Sequence, residues 1–422
     1  NTGDTGSGQS YSVRFFDQDM DGKKDEILLG TDDDVYIYYE NGTLQIDGPD
    51  LASNCYYMYD IEVGDIDGDG YDSEFVVGCG WSDSTNRVVI GNRTGEVINN
   101  TMADSLGDGK VGWITIGDIN GDGTIDNIFS SYKCTLFNTT DGVNWNIAWN
   151  MSENCADAEF GDFDDDGTLE IVAIKSGNLT LFELNGTEVW ATDNEGATYT
   201  GRMDVGSIDG DLKKNDFFMT EYHRYFLVNQ SGQKTTVAFG GVNYWPNFID
   251  IDGDGIDEII YGNQNTDPVH AKYINETQIW AYDIVNSAAI ANHDVNGDGE
   301  NEIIIAESDG NTLVILNKSG ILLSKTHRSS VSGVMPSCES GYCSGVGQEF
   351  DFGDLNRDGI DDIAVISRDD YLDIFQEVSC RIYFNDSNSY NMTWNDTLTK
   401  WQMNRTFATV GNYEYNITCE KG

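Results

Sequence analysis

The sequence is poor in positive charge, in histidine and proline, and in long apolar runs. It carries 23 Lys and Arg against 73 Asp and Glu, a formal net charge of −50, with only 4 His and 4 Pro. This excess of anions argues against nucleic acid or an anionic membrane surface as a partner, and it calls for compensating cations. No stretch of about 18 apolar residues is present, and the opening NTGDTGSGQS is polar. We therefore expect no membrane insertion and, for a secreted protein, a signal peptide already removed.

Cysteine is present, but without the spacing of a zinc site. The 8 cysteines include no CxxC pair and have no histidine cluster nearby. Disulfides formed in an oxidising compartment are therefore the better interpretation. Pairing of neighbours along the chain predicts Cys55–Cys79, Cys134–Cys155, Cys338–Cys343 and Cys380–Cys419. The sequence alone leaves other connectivities open.

One pattern recurs along most of the chain: an acidic loop that runs directly into an apolar segment, as in GDFDDDGTLEIVAI from Gly161 to Ile174. Seven copies begin at Asp17, Asp65, Asp118, Asp162, Asp250, Asp294 and Asp354, and a degraded eighth begins at Ser207. Their spacing of mostly about 45 residues is typical of a repeat architecture, in which each unit buries its apolar face against its neighbours.

Within each repeat the apolar pattern predicts four short strands, one before the acidic loop and three after it. Such units are typical of β-propeller blades. We therefore predict an all-β fold: an eight-bladed β-propeller over residues 10–378, preceded by a flexible segment at 1–9. The eighth repeat shows no clear fourth strand. Its open edge would pair either with the chain's own N-terminal segment or with a neighbouring molecule.

The loop chemistry indicates a site for a hard cation. Side-chain oxygens at positions 1, 3 and 5, a glycine at 6 and an acid at 9 form an oxygen cage, as in Asp162, Asp164, Asp166, Gly167 and Glu170. A helical EF-hand would need a glutamate at position 12, where this loop has alanine, and flanking helices instead of strands. Oxygen ligands without histidine or cysteine favour calcium over transition metals, and magnesium suits so dry a cage less well.

The DxDxDGxxD pattern followed by a strand resembles the FG-GAP, or VCBS-type, repeats of the integrin α-subunit propeller and its prokaryotic relatives. The resemblance implies about six or seven structural Ca²⁺ ions, held by side-chain oxygens and one backbone carbonyl in each loop. The implied side-chain ligands are Asp17, Asp19, Asp21 and Asp25; Asp65, Asp67 and Asp69; Asp118, Asn120, Asp122 and Asp126; Asp162, Asp164, Asp166 and Glu170; Asp250, Asp252, Asp254 and Glu258; Asp294, Asn296, Asp298 and Glu302; and Asp354, Asn356, Asp358 and Asp362. The implied carbonyl ligands belong to Lys23, Tyr71, Thr124, Thr168, Ile256, Glu300 and Ile360.

Two loops depart from the family pattern. The loop from Asp65 has Ser73 at position 9, which leaves its closing ligand in doubt. The loop from Ser207 lacks the first acid, has Leu212 in place of glycine, and adds Lys213 and Lys214, whose ammonium groups would take the place of a cation. We expect no metal in this last loop.

N-glycosylation sequons (Asn-x-Ser/Thr) recur in the predicted turn between the third and fourth strands. The turn sequons start at Asn41, Asn92, Asn138, Asn185, Asn229, Asn275 and Asn317, and further sequons start at Asn99, Asn150, Asn178, Asn385, Asn391, Asn395, Asn404 and Asn416. Asparagine is also favoured in hairpin turns for its backbone conformation. That preference does not explain the serine or threonine two residues later, so the sequence predicts a ring of glycans at the outer rim.

Residues 379–422 form a separate predicted unit. CRIYFN, NMTWN, WQMNRTF and NYEYNITC alternate between apolar and polar residues, and both terminal cysteines fall on the apolar side. The ending resembles the last strands of an immunoglobulin-like or PKD-like sandwich, which implies a disulfide between its two sheets.

These features predict a non-enzymatic extracellular glycoprotein for surface architecture or adhesion. Its partners would be copies of itself, in a fibre or surface layer, or another surface protein or glycan. The sequence has no GxSxG, HExxH, P-loop or dinucleotide motif, and we expect no organic cofactor. The alternative is a carbohydrate-binding or polysaccharide-active enzyme, because eight-bladed propellers also support catalysis and abundant acids offer carboxylate pairs. The acidity would also suit a halophile.

Overall fold

The fold is known from a computed structural model that describes most of the chain. The described residues are 2–4, 10–31, 34–39, 42–47, 58–79, 87–99, 111–193, 203–221, 224–237, 246–262, 268–284, 287–307, 312–327, 350–367, 371–375, 378–384, 389–391, 393–395, 400–402 and 415–421. Within these ranges no helix is long and apolar enough to cross a membrane.

The protein is an all-β, eight-bladed propeller, as the repeats predict. Each blade is a four-stranded antiparallel sheet. Blade 1 contains β2 (Ser10–Phe16), β3 (Glu26–Thr31), β4 (Val35–Tyr38) and β5 (Leu44–Asp47). Blade 2 contains β6 (Met58–Gly64), β7 (Glu74–Cys79), β8 (Arg87–Gly91) and β9 (Val97–Asn99). Blade 3 contains β10 (Ile114–Gly117), β11 (Asn127–Ser130), β12 (Thr135–Asn138) and β13 (Asn146–Trp149). Blade 4 contains β14 (Cys155–Gly161), β15 (Glu170–Lys175), β16 (Asn178–Glu183) and β17 (Glu188–Ala191).

The second half repeats this order. Blade 5 contains β18 (Met203–Gly206), β19 (Asp216–Glu221), β20 (Arg224–Val228) and β21 (Lys234–Val237). Blade 6 contains β22 (Pro246–Ile249), β23 (Glu258–Tyr261), β24 (Val269–Lys272) and β25 (Gln278–Tyr282). Blade 7 contains β26 (Ser287–His293), β27 (Glu302–Glu307), β28 (Thr312–Leu316) and β29 (Leu322–His327). Blade 8 contains β30 (Phe350–Gly353), β31 (Asp362–Ser367) and β32 (Tyr371–Phe375), with β1 (Thr2–Asp4) as its outer strand.

The N-terminal strand completes the last blade. β1 pairs antiparallel with β32, with Gly3 opposite Leu372. The segment 1–9, expected to be flexible, therefore includes a strand, because the free edge of β32 offers hydrogen-bonding groups that β1 satisfies. First strands of neighbouring blades also contact each other, and β2 contacts β30, so the ring closes between blades 8 and 1.

The core lies between the blades. The second strand of each blade is apolar on both faces; in β15 the residues from Glu170 to Ile174 are all buried. Such strands pack against the next blade, as where Phe163 of blade 4 meets Phe217 of blade 5 edge-to-face at 5.2 Å between centroids. Large side chains fill the wedge between sheets that splay apart toward the rim.

Tryptophans at the rim join blades 3, 4 and 6 to the turn of the blade that follows each. Trp149, Trp190 and Trp280 donate their indole N–H to the carbonyls of Leu184 (2.8 Å), Gln230 (3.0 Å) and Lys318 (2.8 Å), each in the following blade. The ring also lies against the glycine of that turn. At Gly232, which has φ of 75°, a Cβ would come within 2.7 Å of the Trp190 indole.

Buried or half-buried aspartates tie first strands together around the central channel. Asp157 of blade 4 accepts a hydrogen bond from the N–H of Met203 in blade 5 (3.0 Å), and Asp204 of blade 5 accepts one from Phe248 in blade 6 (2.5 Å). Asp60 does the same for Ile114 of blade 3 (3.1 Å). Since an inner strand is a sheet edge, these carboxylates satisfy amides that would otherwise lack a partner.

The structure describes at least one cysteine in three of the four predicted pairs. Cys134 and Cys155 form a disulfide that links blade 3 to the start of blade 4. Cys79 is disulfide-bonded, although Cys55 lies outside the described residues, as do Cys338 and Cys343. Cys380 lies directly opposite Cys419 on adjacent strands of one sheet, instead of on two facing sheets.

The C-terminal unit is β-structured. β33 (Val378–Phe384) pairs with β34 (Ser389–Asn391) and β37 (Tyr415–Lys421), and β35 (Thr393–Asn395) pairs with β36 (Lys400–Gln402). β33 begins one residue before the predicted boundary at 379. The described strands thus comprise one sheet of three strands and one of two.

Candidate metal centres

The eight acidic loops join the first and second strands of the blades. We number them by blade: loops 1 to 8 start at Asp17, Asp65, Asp118, Asp162, Ser207, Asp250, Asp294 and Asp354. In loop 2 the backbone wraps around the first aspartate, whose Oδ1 accepts hydrogen bonds from Gly68 N (2.7 Å) and Asp69 N (3.0 Å). Its Oδ2 accepts one from Gly70 N (2.8 Å). Gly70 has φ of 91°, which explains the glycine at position 6.

The next two acids use one oxygen to order the loop. Oδ1 of Asp67 accepts from Asp69 N (3.2 Å), and Oδ1 of Asp69 accepts from Tyr71 N (3.0 Å). Loop 4 repeats this with Asp164 and Asp166. Within the described part of the chain, no hydrogen bond reaches Oδ2 of these four aspartates. The second oxygens therefore remain available to a cation.

Four loops gather three or more acids around a common point. Their ligand atoms lie within 4.8 Å of one another. The groups are Asp65, Asp67, Asp69 and Glu74; Asp162, Asp164, Asp166 and Glu170; Asp17, Asp19 and Asp21; and Asp250, Asp252 and Asp254. Oxygens at this separation match the coordination shell of Ca²⁺, with ligand distances of about 2.3–2.6 Å.

The closing acid is the residue that pairs with the end of the first strand, whatever the number of residues between it and the first aspartate. Glu170 leads β15 opposite Gly161 and accepts from Phe163 N (2.7 Å). In loop 2 the same place opposite Gly64 belongs to Glu74, which accepts from Ile66 N (3.3 Å), so it and not Ser73 closes the cage. Ser73 instead donates its hydroxyl to Glu74 (2.7 Å).

Loop 1 carries the same one-residue insertion. Glu26 lies opposite Phe16 and accepts from Gln18 N (3.0 Å), the contact that Glu170 makes in loop 4. Asp25, named from the spacing as a ligand, is instead fully buried and faces a neighbouring blade. Loop 3 has the insertion too, with Asn127 opposite Gly117, but there Asp126 accepts from Ile119 N (3.0 Å). Sequence reasoning missed Glu26 and Glu74, although the acid directly before each apolar run marks them.

The closing glutamates are under electrostatic strain. Burial, with added repulsion from the loop aspartates, raises the pKa of Glu74, Glu258 and Glu302 to about 7. A cation at the common point would favour their charged form. The donor set therefore fits a hard divalent ion.

Three loops have asparagine at position 3. Asn120 and Asn296 donate their amide to the closing acids Asp126 (3.1 Å) and Glu302 (2.6 Å), and Asn356 does so weakly to Asp362 (3.5 Å). These loops carry one acid fewer. The carbonyl of Tyr71, implied as a ligand in loop 2, also accepts a bond from Ser73 N (2.9 Å).

Basic residues approach the loops from neighbouring blades. Lys213 of loop 5 contacts Asp165 of loop 4 (2.6 Å), and Lys24 contacts Asp72 of loop 2 (2.7 Å). Lys213 therefore reaches across to the preceding loop and does not fill its own, contrary to our expectation for this residue. Leu212 takes the left-handed conformation of the missing glycine, with φ of 66°.

The sequons in the hairpin turns have a structural role as well. Asn92, Asn185, Asn229, Asn275 and Asn317 each accept a hydrogen bond at Oδ1 from the backbone N–H two residues on. At Asn92 and Asn229 the hydroxyl of the serine or threonine also donates to this oxygen, at 2.7 and 2.8 Å. The recurring hydroxyl is thus partly explained by the turn, which the sequence argument did not foresee.

The remaining sequons differ in setting. Asn138 and Asn150 are exposed, Asn99 donates to Val143 O (3.3 Å), and Asn178 is half-buried. Asn391, Asn395 and Asn416 lie on strands of the C-terminal unit, whereas Asn41, Asn385 and Asn404 lie outside the described residues.

Comparison with known proteins agrees with this architecture. Residues 294–365, which hold loops 7 and 8, match the family model of the FG-GAP-like repeat. A search of curated proteins finds no match. The Dos1 propeller is similar in structure, with a TM-score of 0.61, 11% identity, and 89% of this chain and 93% of that chain covered.

Two other solved structures are similar. The C-terminal WD40 domain of Sif2 has a TM-score of 0.57 and 12% identity, covering 88% of this chain and 97% of that one. The dihydro-heme d1 dehydrogenase NirN, in complex with DHE, has a TM-score of 0.54 and 11% identity, covering 76% and 68%. Identities this low show the fold alone. The protein is an eight-bladed β-propeller, and its residues 294–365 match the FG-GAP-like repeat.

Proposed function

We propose that this protein is a non-enzymatic extracellular glycoprotein whose propeller, stabilised by calcium, serves adhesion or surface architecture. The observation that carries the calcium proposal is the pair of roles within each acidic loop. In loops 2 and 4, one oxygen of each aspartate at positions 3 and 5 orders the backbone, and the other is left beside a buried closing acid. Bound Ca²⁺ would neutralise these acids and join the loop to the start of the second strand.

Loops 4 and 5 provide a matched pair for testing this. Asp166 and Asp211 both occupy position 5, and each accepts a backbone hydrogen bond at 2.8 Å, from Thr168 N and Lys213 N. Only Asp166 belongs to a group of converging acids. Asp166→Asn should reduce the rise in melting temperature that calcium gives, and Asp211→Asn should not.

The measurement is thermal unfolding in calcium and in chelator. At a calcium concentration of about 100 Kd, each site stabilises the fold by about 2.7 kcal/mol, so chelation should lower the melting temperature markedly and increase cleavage by protease. Magnesium should not restore stability fully. An identical melting curve with and without chelator would contradict the calcium proposal.

Other observations support an external location and an architectural role. The Cys134–Cys155 disulfide suits an oxidising compartment. Sequon asparagines Asn138, Asn150 and Asn185 are exposed, so glycans attached there would reach solvent. Mass spectrometry of native material tests the glycans, and negative-stain microscopy at high concentration tests assembly. A monodisperse particle without filaments or layers would count against self-association.

One observation favours the alternative of a carbohydrate-active enzyme. Glu159 lies on the first strand β14, where desolvation by the surrounding ring and the charges of Asp157 and Asp204 raise its pKa to about 8, although its side chain still reaches solvent. A carboxylic acid that is protonated at neutral pH is what a glycosidase uses as its general acid. Cleavage of a polysaccharide by the native protein, abolished by Glu159→Gln, would establish this function in place of the architectural one.

A further inference from the structure

Loop 8 differs from the other loops at position 4. This position has φ near +60 to +80° and holds glycine in most loops, with Met20 in loop 1 and Asp165 in loop 4. In loop 8 it is Arg357, with φ of 61°. It is the sole basic residue at this position in the eight loops.

The Arg357 guanidinium lies among the acids of loop 1. Its Nη1 lies 3.1 Å from Oδ2 of Asp21, and its Nη2 lies 3.6 Å from Oδ2 of Asp19. Oδ1 of each aspartate is already used within the loop, accepting from Lys23 N and Asp21 N at 3.1 Å. Arg357 therefore takes the oxygens that loops 2 and 4 leave to a cation.

A third contact makes the guanidinium hard to displace. Its Nε donates to Oδ2 of Asp25, a carboxylate with no exposed surface, whose Oδ1 has no hydrogen-bond partner in the described part of the chain. Removing the partner of a buried charge is strongly destabilising. Loops 1, 2 and 5 carry the inserted residue and do not close with the side chain at position 9. Of these three, only loop 1 has an acid at position 9, Asp25, whereas loops 2 and 5 have Ser73 and Asn215.

The two lysines that cross between loops behave differently. Lys24 and Lys213 contact Asp72 and Asp165, neither of which belongs to a converging group. Their ammonium groups leave the ligand oxygens of loops 2 and 4 untouched. Arg357 contacts the ligand acids themselves, and a calcium ion a few ångströms from the guanidinium would be repelled by it.

We propose that Arg357 is the permanent cation of loop 1, so that blade 8 supplies a guanidinium where the other converging loops take calcium. The inference rests on the proposed calcium function. The contact of Arg357 with loop 1 would also hold blades 8 and 1 together at the closing junction of the ring without calcium.

The test is a calcium anomalous-difference map of the wild-type protein together with the number of ions bound per chain in Arg357→Gln. We expect peaks at loops 2 and 4 and none at loop 1 in the wild type, and one further bound ion in Arg357→Gln. Lys24→Gln and Lys213→Gln are the matched controls and should bind the wild-type number. Adding Asp21→Asn to Arg357→Gln should abolish the extra ion.

The outcomes separate the two proposals. A peak at loop 1 of the wild type, or an unchanged ion number in a folded Arg357→Gln, overturns the role of Arg357 and leaves the calcium function intact. A wild-type map without an ion in any loop overturns both. If Arg357→Gln does not fold, the wild-type map alone decides, since it needs no variant.

Discussion

At the scale of the residue, the acidic loops are built by a division of labour between the two oxygens of one carboxylate. The aspartate at position 5 holds the turn with one oxygen and presents the other to the cage, as Asp69 and Asp166 do. An asparagine at position 3 engages the closing acid instead, because the amide of Asn120 donates to Asp126. Loops with asparagine therefore need less charge compensation and should bind calcium more weakly, since affinity follows ligand charge.

Glu74 provides the sharpest residue-scale prediction. It is 2% exposed and belongs to the converging group of loop 2, whereas its neighbour Ser73 contacts it only through a hydroxyl. Glu74→Gln should weaken calcium binding at loop 2 by about tenfold or more, and Ser73→Ala should have a smaller effect. Lanthanide luminescence titration checks this, with Asp72→Asn as a control outside the group. Equal losses in Glu74→Gln and Asp72→Asn would show that only general charge matters.

At the scale of the element, the outer strands of blades 3, 4 and 6 are each joined to the hairpin turn of the following blade. Trp190 of blade 4 packs against Phe217 of blade 5 at 5.8 Å between ring centroids and donates to Gln230 O in the turn of that blade. The sequence shows the turn and the tryptophan separately. Their contact joins residues 40 apart across two sheets, so local pattern cannot reveal it.

Substitutions at Trp190 separate packing from hydrogen bonding. Trp190→Ala should lower the free energy of unfolding by about 3 kcal/mol, because it leaves a cavity between blades. Trp190→Phe keeps most of the ring and should cost about 1 kcal/mol from the lost indole hydrogen bond. Urea unfolding measures both. Val189→Ala, at a side chain that is 43% exposed in the same strand, should change stability by less than about 0.5 kcal/mol. A Trp190→Ala value as small as this control would contradict the wedge between blades.

At the scale of the whole molecule, the channel is lined by acids that the ring brings together. Burial raises the pKa of Asp204 to about 6. Burial and the charges of Asp157, Asp204 and Glu62 raise that of Glu159 from an ordinary 4.5 to about 8, although its side chain also reaches water in the channel. Between pH 4.5 and about pH 8, Glu159 therefore binds more protons in the folded protein than in the unfolded chain. Stability is therefore greatest below pH 4.5 for this group and falls as pH rises through about 8.

We expect the calcium-free protein to melt at a higher temperature at pH 5.5 than at pH 8. Glu159→Gln cannot gain this charge, so its melting temperature should change less between the two pH values. Glu96→Gln, at an exposed turn residue, should keep the wild-type difference. Melting curves of the three calcium-free proteins test this. A rise in wild-type stability from pH 5.5 to pH 8 would contradict the repulsion in the channel.

The repeats made the propeller predictable. In each unit the alternation of apolar residues predicts the strands, and the DxDxDG pattern predicts the loop. Eight such units are compatible with few architectures other than a propeller. The cage acids at positions 1, 3 and 5 follow from the same pattern. Glu26 and Glu74 could not be predicted by counting from the first aspartate, because each loop contains one inserted residue. The insertion is visible only in the pairing of the second strand with the first. Arg357 was also invisible, since its partners Asp19, Asp21 and Asp25 lie at the other end of the chain.

The pairing of β1 with β32 has a consequence for the order of biosynthesis. Thr2–Asp4 leave the ribosome well before Tyr371–Phe375, against which they pair. At roughly 5–20 residues per second this interval lasts roughly 20 to 75 s. For that time the earliest strand has no sheet to join, while each later blade can fold on the one before it. The ring is therefore sealed only after translation of the eighth blade, and a ribosome that stalls earlier leaves an open arc of blades for the cell's quality control to recognise.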